Sequence, residues 1–222
     1  MALETKASDT PFTYRVTKDG KMRLMIELPT DDPFVVEYAR PLTQKEFSEL
    51  CALNRELVLE REEDGKVSFT SPVGFNSGNI EITIGAYLKI WSVEEGLGDV
   101  ASSSTGFILP NGSTRSPDAA WISTERLSEV PVEELEGFPR LVPDFVVEVR
   151  SKSDNLEKLH TKMREQWMAA GVRLGWLLDP ETETVYVYRE NGSIEVVESF
   201  SGSLSGEGVL PGFSFDLTKL RR

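Results

Sequence analysis

The sequence predicts a mixed α/β or α+β domain, a central mixed β-sheet flanked by helices. Three observations carry this. Short runs rich in β-branched and aromatic residues fill the middle and the C-terminal half, among them "SPDAAWI", "DFVVEVR", "RLGWLLD", "TVYVYR" and "SIEVVES". Two stretches have helical periodicity, 77–93 ahead of this block and 155–170 within it. The two kinds of element do not alternate regularly, which argues against a doubly wound sheet, and strands are too many for a bundle.

Taken in order, "FTYRVTKDGKMRLMIELP" reads as a hairpin around Asp19-Gly20. Thr43 followed by Glu46 forms a capping box for a helix with Phe47, Leu50, Cys51 and Leu57 on its apolar face. "ELVLEREEDGKVSFT" is a second hairpin, turning at Asp64-Gly65. In the helix from Ser77 to Val93, Ile80, Ile84, Tyr87, Leu88 and Trp91 fall on one face. The run 99–109 is β-like with a break near Ser104–Thr105, "PNG" is a turn, and 116–122 is a strand. Residues 125–140 form a surface connection with a short helical piece, and 144–150 is a strand. The helix over 155–170 buries Leu156, Leu159, Met163, Trp167 and Ala170, starts with Asp154 and Glu157 as its capping box, and leaves His160 exposed. Strands in 173–179, 184–189 and 193–199 follow, with Asp179-Pro180 opening a turn and "VLPGFSFDL" as the tail.

Bulk properties narrow the chemistry. At 222 residues the chain can bury one good core with a small appendage. No run reaches the roughly 18 apolar residues of a membrane span. The N-terminus lacks the order of a signal peptide. The single cysteine, Cys51, excludes an internal disulfide framework and fits a reducing cytoplasm. With His160 as the only histidine, a histidine-rich zinc site is excluded, and any metal would be held by oxygen: magnesium, manganese or calcium. The formal charge of −13 repels phosphate at long range. Against that, Arg150, Lys152, Lys158, Lys162 and Arg164 form a local basic strip, opposed there only by Asp154 and Glu157.

Two acids follow prolines at the mouths of β-like runs, Asp118 in "SPD" and Asp144 in "PDFVVEVR", which suggests carboxylates gathered at one sheet edge. Strand alternation puts Asp144, Val146, Glu148 and Arg150 on one face and Phe145, Val147 and Val149 on the other. Charges on a central strand need partners or a metal. On the next helix Lys162 and Gln166 lie one turn apart at the border of the buried stripe, from which Lys162 can aim its ammonium at Glu148. Taken alone, the residues also allow a solvated or salt-bridged strand face and a lysine that snorkels to water.

An acid on one strand followed some 30 residues later by an acid-x-basic triplet resembles the PD-(D/E)XK nuclease superfamily, with Asp118 as the first acid and Glu148-Val149-Arg150 as the triplet. The wording of "SSTGFILPNGSTRSPDAAWIS", "PDFVVEVRSKSD", "TKMREQWMAAGVRLGWLLDP" and "LSGEGVLPGF" is similar to the Uma family of restriction-endonuclease-like proteins. The resemblance runs from about Leu57 to the C-terminus and leaves 1–35 outside, which divides the chain into an N-terminal hairpin extension (1–35) and a nuclease domain (36–222). It implies a restriction-endonuclease-like core, a metal-dependent endonuclease activity on DNA, and Mg²⁺ or Mn²⁺ held by Asp118 and Glu148, with the Val149 carbonyl as a further ligand. Glu81 is the third metal candidate and Glu60 the fourth. The sequence departs from the pattern at Arg150, which stands where a lysine is expected and is a poor proton acceptor. The lysine's role would pass to Lys162, supported by Gln166, or to Lys152. Failing both, the domain would be a catalytically degenerate module that binds nucleic acid or protein. A homodimer would suit double-strand cutting.

Overall fold

The computed structural model describes the strands at 12–16, 22–26 and 35–36 and residues 41–55, 57–70 and 72–221. The chain divides into two compact units, Met1–Asp32 and Pro33–Arg222. In the first, β1 (Phe12–Val16) and β2 (Met22–Ile26) pair antiparallel, Phe12 opposite Ile26 and Val16 opposite Met22. The Asp19-Gly20 turn expected between them lies outside the described residues.

The second unit begins with β3 (Val35–Val36), α1 (Gln44–Leu53), β4 (Val58–Arg61) and β5 (Val67–Thr70). The capping box of α1 is present: the Thr43 hydroxyl accepts from the Glu46 N–H, and the Glu46 carboxylate accepts from the Thr43 N–H at 2.9 Å. The helix buries Phe47 against Leu42, Leu59 and Val67, with Leu50 and Cys51 partly buried beside them. Leu57 is not on this face. The helix ends at Leu53, where the Asn54 N–H turns back to the Cys51 carbonyl, and Leu57 is left exposed. Gly65 makes the β4–β5 turn at φ 83°, in the left-handed region, and a Cβ there would come within 2.9 Å of the Leu42 nitrogen and the Pro41 Cα.

Next comes α2 (Phe75–Glu95), longer at both ends than its periodicity predicts and closed by Gly96 in a left-handed conformation. Ile80, Ile84, Leu88 and Trp91 are buried as expected, whereas Tyr87 is exposed at the flank and lies edge-on to Phe215. The rest of the chain runs β6 (Gly98–Ser102), β7 (Phe107–Ile108), β8 (Thr114–Arg115), β9 (Ala119–Ser123), α3 (Thr124–Ser128), α4 (Val132–Leu135), β10 (Phe145–Val149), α5 (Leu156–Thr161), β11 (Leu174–Asp179), β12 (Thr184–Arg189), β13 (Ile194–Glu198), β14 (Ser203–Ser205) and β15 (Ser214–Asp216). A π-helical segment, Lys162–Met168, continues α5 without a break.

The main sheet has the order β13-β12-β11-β10-β9-β6, in which β10 and β11 are parallel and all other neighbours antiparallel. A second sheet has the order β3-β5-β4-β8-β7. The central strand β10 is buried along its whole length. Phe145, Val147 and Val149 pack with α2 and the C-terminal tail, while Val146 packs with Met163 and Trp167 on the other face, the alternation that the strand pattern requires. No helix among the described residues is long and apolar enough to cross a membrane.

Antiparallel pairing of β9 with β10 decides the fate of the two post-proline acids. Ala119 lies opposite Val147 and Trp121 opposite Phe145, so Asp118 stands beside the C-terminal end of β10 and Asp144 at the other end. Four residues of strand separate Asp144 from Glu148, about 13 Å. Asp144 accepts from the Ser123 N–H at 2.9 Å and pairs with Arg126 at 3.0 Å and Arg173 at 3.5 Å, a structural clasp. The two acids therefore do not share a sheet edge.

Two details of the α5 region also differ from expectation. The helix is capped by Asn155, which accepts from the Lys158 N–H, because Asp154 turns instead to the Ser151 N–H at 2.7 Å. His160 is half-buried: its ring stands edge-on to Tyr186 with centroids 4.5 Å apart, and its Nδ1 shares a hydrogen bond with the Tyr188 hydroxyl.

Candidate active site

The C-terminal end of β10 is where the charged residues meet. Glu148, only 4% exposed, points from β10 into the face covered by the π-helical segment. Its Oε1 lies 2.9 Å from the Lys162 ammonium and accepts from the Trp167 indole N–H at 2.7 Å, and its Oε2 lies 3.2 Å from the same ammonium. Lys162 also reaches Glu60 Oε1 on β4 at 3.3 Å and the Ser116 carbonyl at 3.3 Å.

The π-helix explains how two residues five apart serve one carboxylate. In an α-helix, five residues advance the side chain to about 140° away, nearly the opposite face. Bonding from i to i+5 brings such residues close to one another in rotation. The pattern is directly visible, since the Ala169 N–H donates to the Arg164 carbonyl and the Val172 N–H to the Trp167 carbonyl. Lys162 and Trp167 thus both face Glu148.

Asp118 precedes β9 and is tied to the same strand end, its Oδ2 accepting from the Val149 N–H at 2.6 Å. Burial, then the negative charges of Glu148 and Glu81, hold its carboxyl well above the usual range, against the weaker pull of Lys162. Glu148 is pushed up by burial and by Glu60, although Lys162 and Trp167 oppose the rise. Glu81, in the second turn of α2, is raised by burial and by the charges of Glu148 and Asp154, and its Oε1 is buried with no hydrogen-bond partner. Glu60 goes the other way: burial would raise it, but Lys162, Arg115 and the Ser116 N–H together lower it. For Lys162, the flanking Glu148 and Glu60 outweigh burial, so the amine is held above its ordinary value and stays protonated.

Of the residues singled out from the sequence, Glu148, Lys162 and Glu60 are in direct contact here, Asp118 is tied to the same strand end, and Glu81 bears on Asp118 through its charge. Among the described residues, no three histidine, cysteine or acidic side chains stand as a ready-made metal cluster. Arg150 faces elsewhere, paired with Asp179 at 2.8 Å and Glu181 at 3.0 Å. Gln166 does not touch Lys162; its Oε1 accepts from Asn111 at 3.3 Å and from Ser113 at 3.4 Å, fastening the 110–113 turn to the helix. Lys152 is exposed, as are Lys158 and Arg164, so only three of the strip's five cations remain at the surface.

The sequence reading missed Arg115 and the role of Trp167. Arg115 is buried and bridges Glu60 at 3.1 Å and Glu62. Its signal was faint: an arginine two residues after a turn, with its partners some 55 residues earlier on another strand. Trp167 was counted as core, but a buried indole N–H needs an acceptor. Replacing Trp167 by Phe is expected to destabilise the fold by about 1–3 kcal/mol, because the buried Glu148 then loses one of its two donor groups and keeps only Lys162. Urea titrations at pH 8 and pH 5 check this, and the deficit should shrink at the lower pH as Glu148 takes up a proton.

With this geometry in view, comparisons with known proteins are informative. A family model described as "Uma2: Putative restriction endonuclease" matches residues 44–218. No curated protein matches the chain. Among solved structures, a crystal structure of "a putative nuclease belonging to DUF820" from Anabaena variabilis ATCC 29413 is similar at 20% identity and a TM-score of 0.66, covering 81% of this chain and 97% of that one. At that identity the likeness concerns the fold alone. The family match spans most of the chain, from α1 to the C-terminal turn, and the protein belongs to the Uma2 family.

Proposed function

We propose that this protein is a divalent-metal-dependent endonuclease that hydrolyses phosphodiester bonds, with DNA as substrate and Mg²⁺ or Mn²⁺ as cofactor. The observation that carries the reading is the convergence of Asp118 and Glu148 on the C-terminal end of β10, where Lys162 lies 2.9 Å from Glu148 and the charge of Glu81 bears on Asp118. These residues fit a hard cation. All three supply carboxylate oxygens, all three have proton affinities raised by burial and by neighbouring carboxylates, and Glu81 Oε1 is a buried acceptor without a donor. When bound, such an ion would polarise a phosphoryl oxygen and make water a usable nucleophile.

The chain's own residues do the remaining work. Asp118 and Glu148 are anchored at the end of a buried strand, so they would hold the cation against a rigid sheet. Lys162, held as an ammonium, offsets the negative charge that develops on the phosphate; it does not act as a base. Arg150, the basic member of the triplet, is occupied by Asp179 and Glu181, which leaves the cationic role to Lys162. Cytoplasmic location and a homodimer that presents two sites belong to the same proposal. A second reading, a nuclease fold that binds without cutting, is favoured by one observation: Glu148 is already closed off by Lys162 and Trp167.

Supercoiled plasmid separates the two. Wild type with Mn²⁺ should produce nicked circles that EDTA abolishes, and Glu148→Gln should cleave at least about a hundredfold more slowly. Cleavage that survives EDTA, or is equal in the variant, overturns the assignment. Retarded plasmid mobility without nicking favours the binding module.

A further inference from the structure

Lys162 has three N–H bonds and three acceptor groups: the Glu148 carboxylate, with Oε1 at 2.9 Å and Oε2 at 3.2 Å, Glu60 Oε1 at 3.3 Å and the Ser116 carbonyl at 3.3 Å. Of the two carboxylates, Glu148 belongs to the main sheet and Glu60 to the second sheet. Glu60 is the more firmly held. Its Oε1 also accepts from the Ser116 N–H at 2.9 Å, its Oε2 accepts from Arg115 at 3.1 Å, and Arg115 is itself clasped by Glu62. The Ser116 peptide therefore touches both partners, donating to Glu60 and accepting from Lys162. Both Glu60 oxygens are thus engaged by donors, Oε1 by Ser116 and Lys162 and Oε2 by Arg115.

We propose that Glu60 is the positioning residue for Lys162, a second anionic seat that keeps the ammonium in the site when Glu148 is drawn to another cation. Its consequence for catalysis rests on the reading of Glu148 as a metal ligand; the seat itself does not. A divalent ion on Glu148 would repel the ammonium, and a lysine at the border of a buried stripe has the reach to retreat to water. Glu60 and the Ser116 carbonyl retain two of its three contacts in that event. Arg115 keeps Glu60 in place and keeps it charged, which explains why a buried arginine is built into a strand of only two residues. Glu60 touches neither phosphate nor water in this scheme and acts only through Lys162.

The test is acylation of Lys162 by a lysine-reactive ester, followed by peptide mass spectrometry, on the full chain. Four forms are compared: wild type, Glu148→Gln, Glu60→Gln and the double variant. Lys162 should stay protected in Glu148→Gln, because Glu60 still holds it, and should react about tenfold faster or more in the double variant, as loss of a charged hydrogen bond dictates. Adding Mn²⁺ should leave wild-type Lys162 protected and expose it in Glu60→Gln. Glu60→Asp, which retains the charge, should restore protection and guards against a misfolded glutamine variant. In cleavage assays Glu60→Gln should lower kcat and leave KM unchanged. Equal acylation of Lys162 in Glu148→Gln and the double variant overturns the proposal. An inactive wild type overturns the nuclease reading instead, and the acylation result still decides the role of Glu60.

Discussion

Lys162→Met should cost the fold about 3–5 kcal/mol at pH 8, the range for removing one partner of a buried ion pair and leaving the other charge behind. Here Glu148 is left without a counter-cation, while Glu60 keeps Arg115. Glu148 is almost fully buried, Glu60 is 8% exposed, and the one ammonium lies between them. Without it, both carboxyls move to higher proton affinity. A carboxyl whose folded pKa lies above its unfolded value adds stability below the unfolded pKa and loses it as the pH rises through the folded one. The deficit of the methionine variant is therefore greatest at neutral and alkaline pH and shrinks on acidification. Urea unfolding from pH 8 down to pH 5 measures it. Adding Glu148→Gln to Lys162→Met should recover part of the loss, since the neutral amide needs no counter-cation. A loss below 1 kcal/mol, or one that does not change with pH, would mean the ammonium is solvated and the network is incidental.

The elements of the fold were legible in the sequence because their signals are local. Alternation in "DFVVEVR" assigned Phe145, Val147 and Val149 to one face and Glu148 to the other, and both assignments describe β10 as it stands. The capping box at Thr43 and the turn at Asp64-Gly65 are likewise local chemistry, and both are present. Strand pairing is not local. Nothing in "SPD" and "PDF" shows that their strands run antiparallel, which sends Asp118 to the Glu148 end and Asp144 to the clasp with Arg126. The position of Arg150 fails for a related reason: alternation places it on the Glu148 face, but β10 ends at Val149, and beyond the strand the side chain is free to turn to Asp179 on the parallel neighbour. Lys162 was found because its helical border position and the acid on the preceding strand are both readable. Glu60 was named too, but as a metal candidate; its part as the second partner of Lys162, and the Arg115 behind it, depend on contacts across more than 50 residues. The π-helix was invisible, since periodicity arguments assume 3.6 residues per turn, and only the change to i→i+5 bonding turns Trp167 from core into a donor for Glu148.

Asp118→Asn should make the apo protein more stable at neutral pH, by about 0.5–2 kcal/mol, the range of a single stabilising substitution. Asp118 sits in a partly buried position beside Glu148 and Glu81, and burial together with those charges raises its pKa. The same linkage applies: its contribution is fully favourable below the ordinary carboxylate pKa and is lost as pH rises through the raised value, so at pH 7–8 the ionised side chain is a cost that asparagine removes. The amide oxygen can still accept from the Val149 N–H, so the tie to β10 is kept. At pH 4 the gain should be much smaller, because the aspartate is then largely protonated in the fold. Saturating Mn²⁺ should reverse the order. A ligand at a hundred times its Kd adds about 2.7 kcal/mol to a fold that binds it, and wild type should gain this while the asparagine variant gains far less. Thermal melts with and without Mn²⁺ should therefore cross, the variant higher without metal and the wild type higher with it. An acid that only satisfies a backbone N–H would give no such crossing: its replacement by asparagine would shift both melts alike. The crossing separates a carboxylate held in repulsion for a cation from one that merely caps the start of a strand.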